Sequence, residues 1–480
     1  MKLAVPLALF ALHGAANALY LQRRQPSDGP PRVLRLDLHR NAILDPVGHD
    51  RLRRRTATVN VDLDNYQTLY FFNASVGTPA QELRMHLDTG SSDLWVNTPK
   101  SDLCSMRSRP CAFSGEFSPN KSTTYEYINS KFNISYADGS SAAGDYVTDT
   151  LRFGGANVSA FQFGIGYEST SPQNVIGIGY PANEVQVVRY GMSPYDNLPA
   201  RLAADGIIAS NTFSLWLNDL DADTGSILFG GVDASRYHGD LVTVPIQKVQ
   251  GAYVAFFITM TGLNVGTKTL DDDMALAVLL DSGSSFTYLP NSLTKQIYNA
   301  VDAVYQNEQR VAFVPCSLAN ENVTMTFKFS SPAAVAVPMN ELVLPIPQSG
   351  SGDPLTFDNG EPACFFGILP ADSGTSVLGD TFLRSAYTVF DLDNNSISLA
   401  QTKFNATESD VVEITKGASA IPSSKTAENP VPATSGLPMS TQGKGTGSSN
   451  DADDSGAYAL IPSLEAVVLP MLVGLFLSIA

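Results

Sequence analysis

Leu87-Asp88-Thr89-Gly90-Ser91-Ser92-Asp93-Leu94-Trp95-Val96 returns 193 residues later as Leu280-Asp281-Ser282-Gly283-Ser284-Ser285-Phe286-Thr287-Tyr288-Leu289. Each copy sets an acid, a small hydroxyl residue, Gly and Ser-Ser inside an otherwise apolar run. A carboxylate in a run that reads as a buried strand stays ionised only where hydroxyls and backbone N–H groups hydrogen-bond it. A single Asp-Thr-Gly or Asp-Ser-Gly is a common turn, but two copies with the same flanks are hard to obtain by chance. The repeat predicts two similar halves whose acids face each other.

Outward from this phrase, Tyr66 to about Phe404 shows short apolar or alternating runs, such as Thr68 to Val76, Ser130 to Tyr136 and Tyr146 to Phe153. Gly, Asn, Asp and Ser turns separate them, which predicts an all-β chain with a few short helices. The best helical period lies over Asn291 to Tyr305, with Leu293, Ile297, Val301 and Val304 on one face. A boundary near Leu241 to Gln250 divides a first lobe, 56–243, from a second, 244–404. A second echo, Val175-Ile176-Gly177 against Val377-Leu378-Gly379, puts Gly after two apolar residues, where another backbone segment passes close.

The ends differ from the middle. Met1-Lys2, the apolar run Leu3 to Leu12 and Ala16-Asn17-Ala18 read as a secretory signal peptide, 1–18. Residues 19–55 hold nine Arg against four Asp and finish in Arg51-Leu52-Arg53-Arg54-Arg55, a basic propeptide to be removed by a processing protease near Arg55. Its charge complements carboxylates in the cleft it would cover. Residues 405–455 read as a stalk, because 26 of the 39 residues in 417–455 are Gly, Ala, Ser, Thr or Pro. Ala466 to Ala480 is apolar and short for a membrane span, so 456–480 reads as a glycosylphosphatidylinositol attachment signal. Ser455 is the first choice for the anchored residue and Asn450 the second; an intact C-terminal tail helix is the competing reading. Sequons at Asn73, Asn120, Asn133, Asn157, Asn322, Asn394 and Asn405 fit a glycosylated extracellular protein.

A net charge of −17, from 30 basic and 47 acidic side chains, argues against nucleic acid as a partner and suits an acidic medium. Four cysteines in a secreted chain allow two disulfides in three connectivities. Cys104 and Cys111 are near enough in sequence to staple a small loop, leaving Cys316 for Cys364. Zinc is the rival use of these cysteines, but there is no CxxC spacing and no nearby His pair.

Of five histidines, only His86 and His238 fall outside the signal and basic segments. That is too few for a histidine metal cage, and no GxSxG elbow accompanies them. His86 lies two residues before Asp88 on the same strand face and reads as a strand histidine packed on a neighbour. What remains is a carboxyl pair. If Asp88 and Asp281 meet, they cannot both ionise cheaply, so they share one proton and titrate as a coupled pair. The ionised acid then takes a proton from a water held between them while the protonated one donates to a carbonyl oxygen, so water attacks a peptide bond.

Residues 66–404 resemble the pepsin family of aspartic proteases. The match runs through Val76-Gly77-Thr78-Pro79, Asp88 to Val96, Tyr136-Ala137-Asp138-Gly139-Ser140, Asp281-Ser282-Gly283 and Val377-Leu378-Gly379-Asp380-Thr381-Phe382-Leu383-Arg384. The secreted, stalked and anchor-signalled layout resembles the fungal yapsin group. The resemblance implies a bilobal fold with a deep cleft for an extended peptide. It makes Asp88 and Asp281 the catalytic pair, supported by Thr89, Gly90, Ser91, Ser282, Gly283 and Ser284. It also implies a flap carrying Tyr136, Asp138 and Gly139, with the Tyr136 hydroxyl near Trp95. Asp138 suggests a preference for basic residues before the scissile bond. The expectation is a monomeric, cofactor-free and metal-free endopeptidase of proteins and peptides, GPI-anchored at the extracellular face of the cell membrane or wall. The alternative is a catalytically silent cell-wall mannoprotein of the same fold, and a soluble digestive protease is a further rival.

Overall fold

The computed structural model describes residues 32–43, 67–136, 139–222, 224–346, 355–372, 374–417 and 421–438. Short strands dominate them, and the α-helices among them are brief: Val185–Tyr190, Leu198–Ala204, Asn291–Val301 and Asp380–Leu383. The helical period read over Asn291 to Tyr305 ends early. Leu293, Ile297 and Val301 are buried, but Asp302 turns left-handed at φ 53°, and Val304 leaves on the strand Val304–Gln306, 44% exposed.

The two halves repeat one motif. In the first, Gln81–Asp88 runs parallel to Asn174–Gly177, which lies antiparallel to Leu94–Asn97. In the second, Leu276–Leu280 is parallel to Val377–Leu378, and Thr287–Leu289 is antiparallel to it. Each time, a strand followed or ended by Gly is threaded between the strand that enters an Asp loop and the strand that leaves it. A Cβ at Gly177 would sit 2.5 Å from Ser92 N, and one at Gly379 would sit 2.3 Å from Ser284 O. No side chain fits either place, which is the close approach that the second echo predicts.

One sheet joins the halves. Ala386–Asp391 and Ser396–Thr402, late in the chain, pair with Thr212–Trp216 and Tyr237–Pro245 within a fourteen-stranded sheet. A continuous apolar core runs from Phe72 and Leu87 in the first half to Leu280 and Phe382 in the second. The architecture is all-β and bilobal, as the repeat implies. Both expected disulfides are formed, Cys104–Cys111 and Cys316–Cys364.

Two segments depart from their sequence reading. Leu34–Ile43, inside the basic propeptide, is a strand paired antiparallel on both sides, with Thr224–Phe229 and Gln67–Val76. Leu34, Leu36 and Leu38 are buried and Asp37 is exposed, the period of two expected for a strand with one buried face. The Arg residues in and beside this strand find partners on neighbouring segments of the body. Arg35 lies 3.5 Å from Asp233, Arg32 lies 3.3 Å from Glu413, and Arg40 donates to the carbonyl of Leu220.

The expected stalk beginning at 405 is the second departure, because its described residues pack against the body. Val411–Glu413 pairs with Gly231–Asp233, and Ser424–Thr426 pairs with Tyr237–Pro245. Further on, Ala277 N–H donates to Ser435 O at 2.8 Å and Thr434 N–H to Ala275 O at 2.9 Å. Ala406, Ile414, Ile421 and Ala427 are buried, so scattered apolar residues suffice to dock a segment whose average composition reads as a spacer.

Asn73, Asn120, Asn157, Asn322, Asn394 and Asn405 are exposed, and Asn133 is half-buried. The signal peptide 1–18, the Arg51–Arg55 cluster, Asp138, Asn450, Ser455 and the tail 456–480 lie outside the described residues. Among the described residues, no helix is long and apolar enough to cross a membrane.

Candidate active site

Asp88 ends its strand with a side chain only 1% exposed. Its Oδ1 accepts the Gly90 N–H at 2.8 Å and its Oδ2 accepts the Ser91 hydroxyl at 2.5 Å. Asp281 repeats this set: Oδ1 takes the Gly283 N–H and Oδ2 the Ser284 hydroxyl, both at 2.8 Å. Equal donors on equal atoms give two carboxyl groups the same environment, as the repeated phrase requires. The two loops also touch, because a Cβ on Gly90 would lie 2.5 Å from Asp281 Oδ1.

The residue between each Asp and Gly has a separate task. Thr89 N–H donates to Ser282 Oγ at 3.2 Å, and Ser282 N–H donates to Thr89 Oγ1 at 2.9 Å. Each hydroxyl then donates across the dyad, Thr89 to Leu280 O and Ser282 to Leu87 O, both at 3.0 Å. A hydroxyl both accepts and donates, so one small side chain from each loop satisfies two buried backbone groups of the other. This reciprocal grip fixes the separation and orientation of the two Asp loops.

Tyr136 stands at the end of the first strand of a hairpin, Glu126–Ser135 with Ser141–Phe153. Its hydroxyl accepts the Trp95 indole N–H at 2.7 Å, and Gly139 N–H closes the turn on Tyr136 O at 3.0 Å. Tyr136 and Trp95 thus meet as the resemblance implies. His86 pairs across the sheet with Phe71, ring centroids 5.5 Å apart, in keeping with a packed strand histidine.

Two buried groups escaped the reading of the sequence. Arg384 donates to Glu341 through Nε and to its carbonyl through Nη2, each at 2.5 Å, and both side chains are fully buried. Glu341 in turn accepts Leu220 N–H at 3.0 Å, tying the second half to the first. Asp93, Glu184, Tyr146 and Tyr195 form the other cluster, next to Trp95. Its one visible signal is an asymmetry: the first phrase has Asp93 where the second has Phe286.

The model of the family described as eukaryotic aspartyl protease matches residues 69–402. A probable aspartic-type endopeptidase, opsB, of Aspergillus oryzae is 53% identical over 432 residues, covering 88% of this chain and 86% of that protein. Its namesake in Aspergillus fumigatus is 47% identical over 466 residues, covering 96% and 92%. Secreted aspartic protease 1 of Candida albicans is 34% identical over 390 residues, covering 79% and 93%. These fungal relatives agree with the resemblance to the yapsin group. With the paired Asp loops and a family match spanning both halves, this chain belongs to the eukaryotic aspartyl protease family and is an aspartic-type endopeptidase.

Proposed function

We propose that Asp88 and Asp281 are the catalytic dyad of a secreted endopeptidase that works in acid at the outer face of the cell. The matched donor sets on the two carboxyl groups carry this reading. One shared proton leaves one acid and one base at the same site. The base removes a proton from a bound water, whose oxygen attacks the peptide carbonyl carbon, while the acid protonates the carbonyl oxygen. The resulting gem-diol collapses when the carboxyl that took the water's proton gives it to the amide nitrogen, the other carboxylate takes a proton from a gem-diol hydroxyl, and the C–N bond breaks, which restores the one shared proton. Tyr136 and Gly139 close over the substrate on the flap.

Residues 19–55 serve as a propeptide that keeps the enzyme inactive until it is cut near Arg55. Acid loosens it by protonating carboxylates that hold it, Asp233 against Arg35 among them. The mature enzyme is a monomer, glycosylated at its exposed sequons, with a glycosylphosphatidylinositol anchor at Ser455 or, as second choice, Asn450. Asp138 at the flap tip favours Lys or Arg before the scissile bond.

Asp281→Asn tests the dyad. Cleavage of a peptide library at acid pH should fall by about a thousandfold or more, with the fold intact, and a statine-type inhibitor should block the wild type. Activity surviving that substitution would overturn the mechanism. A purely hydrophobic cleavage profile would count against the role of Asp138, and failure of a phosphatidylinositol-specific phospholipase to release the protein from membranes would count against the anchor.

A further inference from the structure

Asp93 is fully buried beneath the flap and holds three donors. Its Oδ1 accepts the hydroxyls of Tyr146 at 2.6 Å and Tyr195 at 3.0 Å, and its Oδ2 accepts Val185 N–H at 2.8 Å. Glu184, also fully buried, accepts only Tyr195 N–H, at 2.9 Å on Oε2, and its Oε1 has no hydrogen-bond partner. Among the described residues, no Lys, Arg or His forms an ion pair with either carboxyl group. Asp196 adds further negative charge nearby, and the buried Gln186 turns its amide to Gln162 and Ser193.

Two buried carboxylates with no cation cannot both be charged at modest cost. The hydrogen bonds assign the roles. Three donors suit an anion at Asp93, whereas one N–H and a bare oxygen suit a neutral acid at Glu184. Burial leaves the Asp93 carboxyl above the ordinary 3.8, and the bonds from Tyr146, Val185 and Tyr195 hold that rise back in part. Glu184 is pushed up to about 10 by burial and then by the charge of Asp93.

Both strands of the flap hairpin rest on this cluster. Glu184 precedes the helix Val185–Tyr190, from which Arg189 donates to Asn133 Oδ1 at 3.2 Å and Ser135 Oγ at 2.9 Å, both on the first strand. Lys131 of that strand lies over the Tyr190 ring at 5.5 Å. Tyr146 is on the second strand, edge-on to Phe132 at 5.4 Å, and Phe132 lies 6.3 Å from Trp95, whose indole holds Tyr136.

We propose that Asp93 and Glu184 form a half-ionised carboxyl pair, one charge and one proton, that positions the base of the flap for the peptide-cleavage reaction. Neither touches substrate, so both are positioning residues, and the inference rests on reading Tyr136 as the flap residue. The pair also ties the flap to pH. Glu184 is neutral in the fold and an ordinary carboxylic acid when unfolded, so the stability it lends is complete below about 4.5 and declines as pH rises from there toward 10.

The experiment compares Glu184→Gln with Asp93→Asn in the full chain. Gln has the shape of a neutral acid, so at pH 4 Glu184→Gln should keep KM and kcat within about twofold. Asp93→Asn replaces one of the two oxygens that three donors face, and should raise KM by about tenfold or more with a smaller change in kcat. Trp95 fluorescence in a Trp216→Phe background reports the fold as pH rises, and Glu184→Gln should move its transition upward by about one pH unit or more. The proposal is overturned if Glu184→Gln is as damaging at pH 4 as Asp93→Asn, or if it leaves the transition in place. Should Asp93→Asn fail to fold, Arg189→Ala cuts the same link from the exposed side. KM should then rise at pH 4, and an unchanged KM sinks the coupling to the flap. An error in the dyad assignment would show separately, because Asp281→Asn should abolish cleavage without moving the Trp95 transition.

Discussion

Thr89 and Ser282 exchange backbone N–H donors for side-chain hydroxyl acceptors across the dyad, at 3.2 and 2.9 Å. Thr89→Val keeps the shape and removes the hydroxyl, leaving Ser282 N–H and Leu280 O without their partner. The expected cost is about 1–3 kcal/mol, because a buried polar group left unsatisfied loses its full desolvation energy. Thermal unfolding should show this loss together with a lower kcat; a variant with wild-type stability would mean the grip contributes nothing net.

Arg384 and Glu341 make a fully buried ion pair. Arg384→Met leaves the Glu341 charge unpaired and should destabilise the fold by about 3–5 kcal/mol. Replacing both residues with apolar ones should recover much of that, and denaturant unfolding of the two variants distinguishes a lost charge partner from lost packing.

Asp233 sets an acid-side limit. Burial pushes its carboxyl up, but donors from Asp410, Ser235 and Ser409 outweigh that and hold it below the ordinary 3.8. A depressed carboxyl stabilises the fold above 3.8 and loses that contribution as pH falls through its lower folded value. Asp233→Asn should therefore release the segment around Arg35 at a higher pH than in the wild type. Limited proteolysis between residues 44 and 66, followed across pH 2 to 5 by gel and mass spectrometry, checks this.

The segment 405–438 behaves as part of the enzyme. Truncation after Pro438 should leave stability and cleavage unchanged, whereas truncation after Phe404 exposes the seats of Ala406, Ile414, Ile421 and Ala427 and removes the bonds at Ala275 and Ala277. A loss on the order of 3–6 kcal/mol is expected from the apolar area alone. Equal melting temperatures for the two truncations would refute the docking.

Much of the site was legible because it is written twice. Asp88, Gly90 and Ser91 and their counterparts Asp281, Gly283 and Ser284 act through atoms within three residues of each carboxyl group, so local sequence contains the donor set. The glycines 177 and 379 were readable for the same reason. Leu34–Ile43 was obscured by its arginines, although Leu34, Leu36 and Leu38 alternate as a strand should. The docking of 405–438 was obscured by averaging composition over a window that holds only a few anchoring apolar residues.

The sequence by itself determined two matched Asp loops and the all-β halves that carry them, because short-range hydrogen bonding and period-two burial are local properties. Only the tertiary structure decided which distant groups meet. Thr89 reaches Ser282, Arg384 finds Glu341, and Asp93 gathers Tyr146, Val185 and Tyr195 from three other segments. A buried charge is tolerable only where the folded chain delivers its partners, and no single stretch of sequence shows which partners those are.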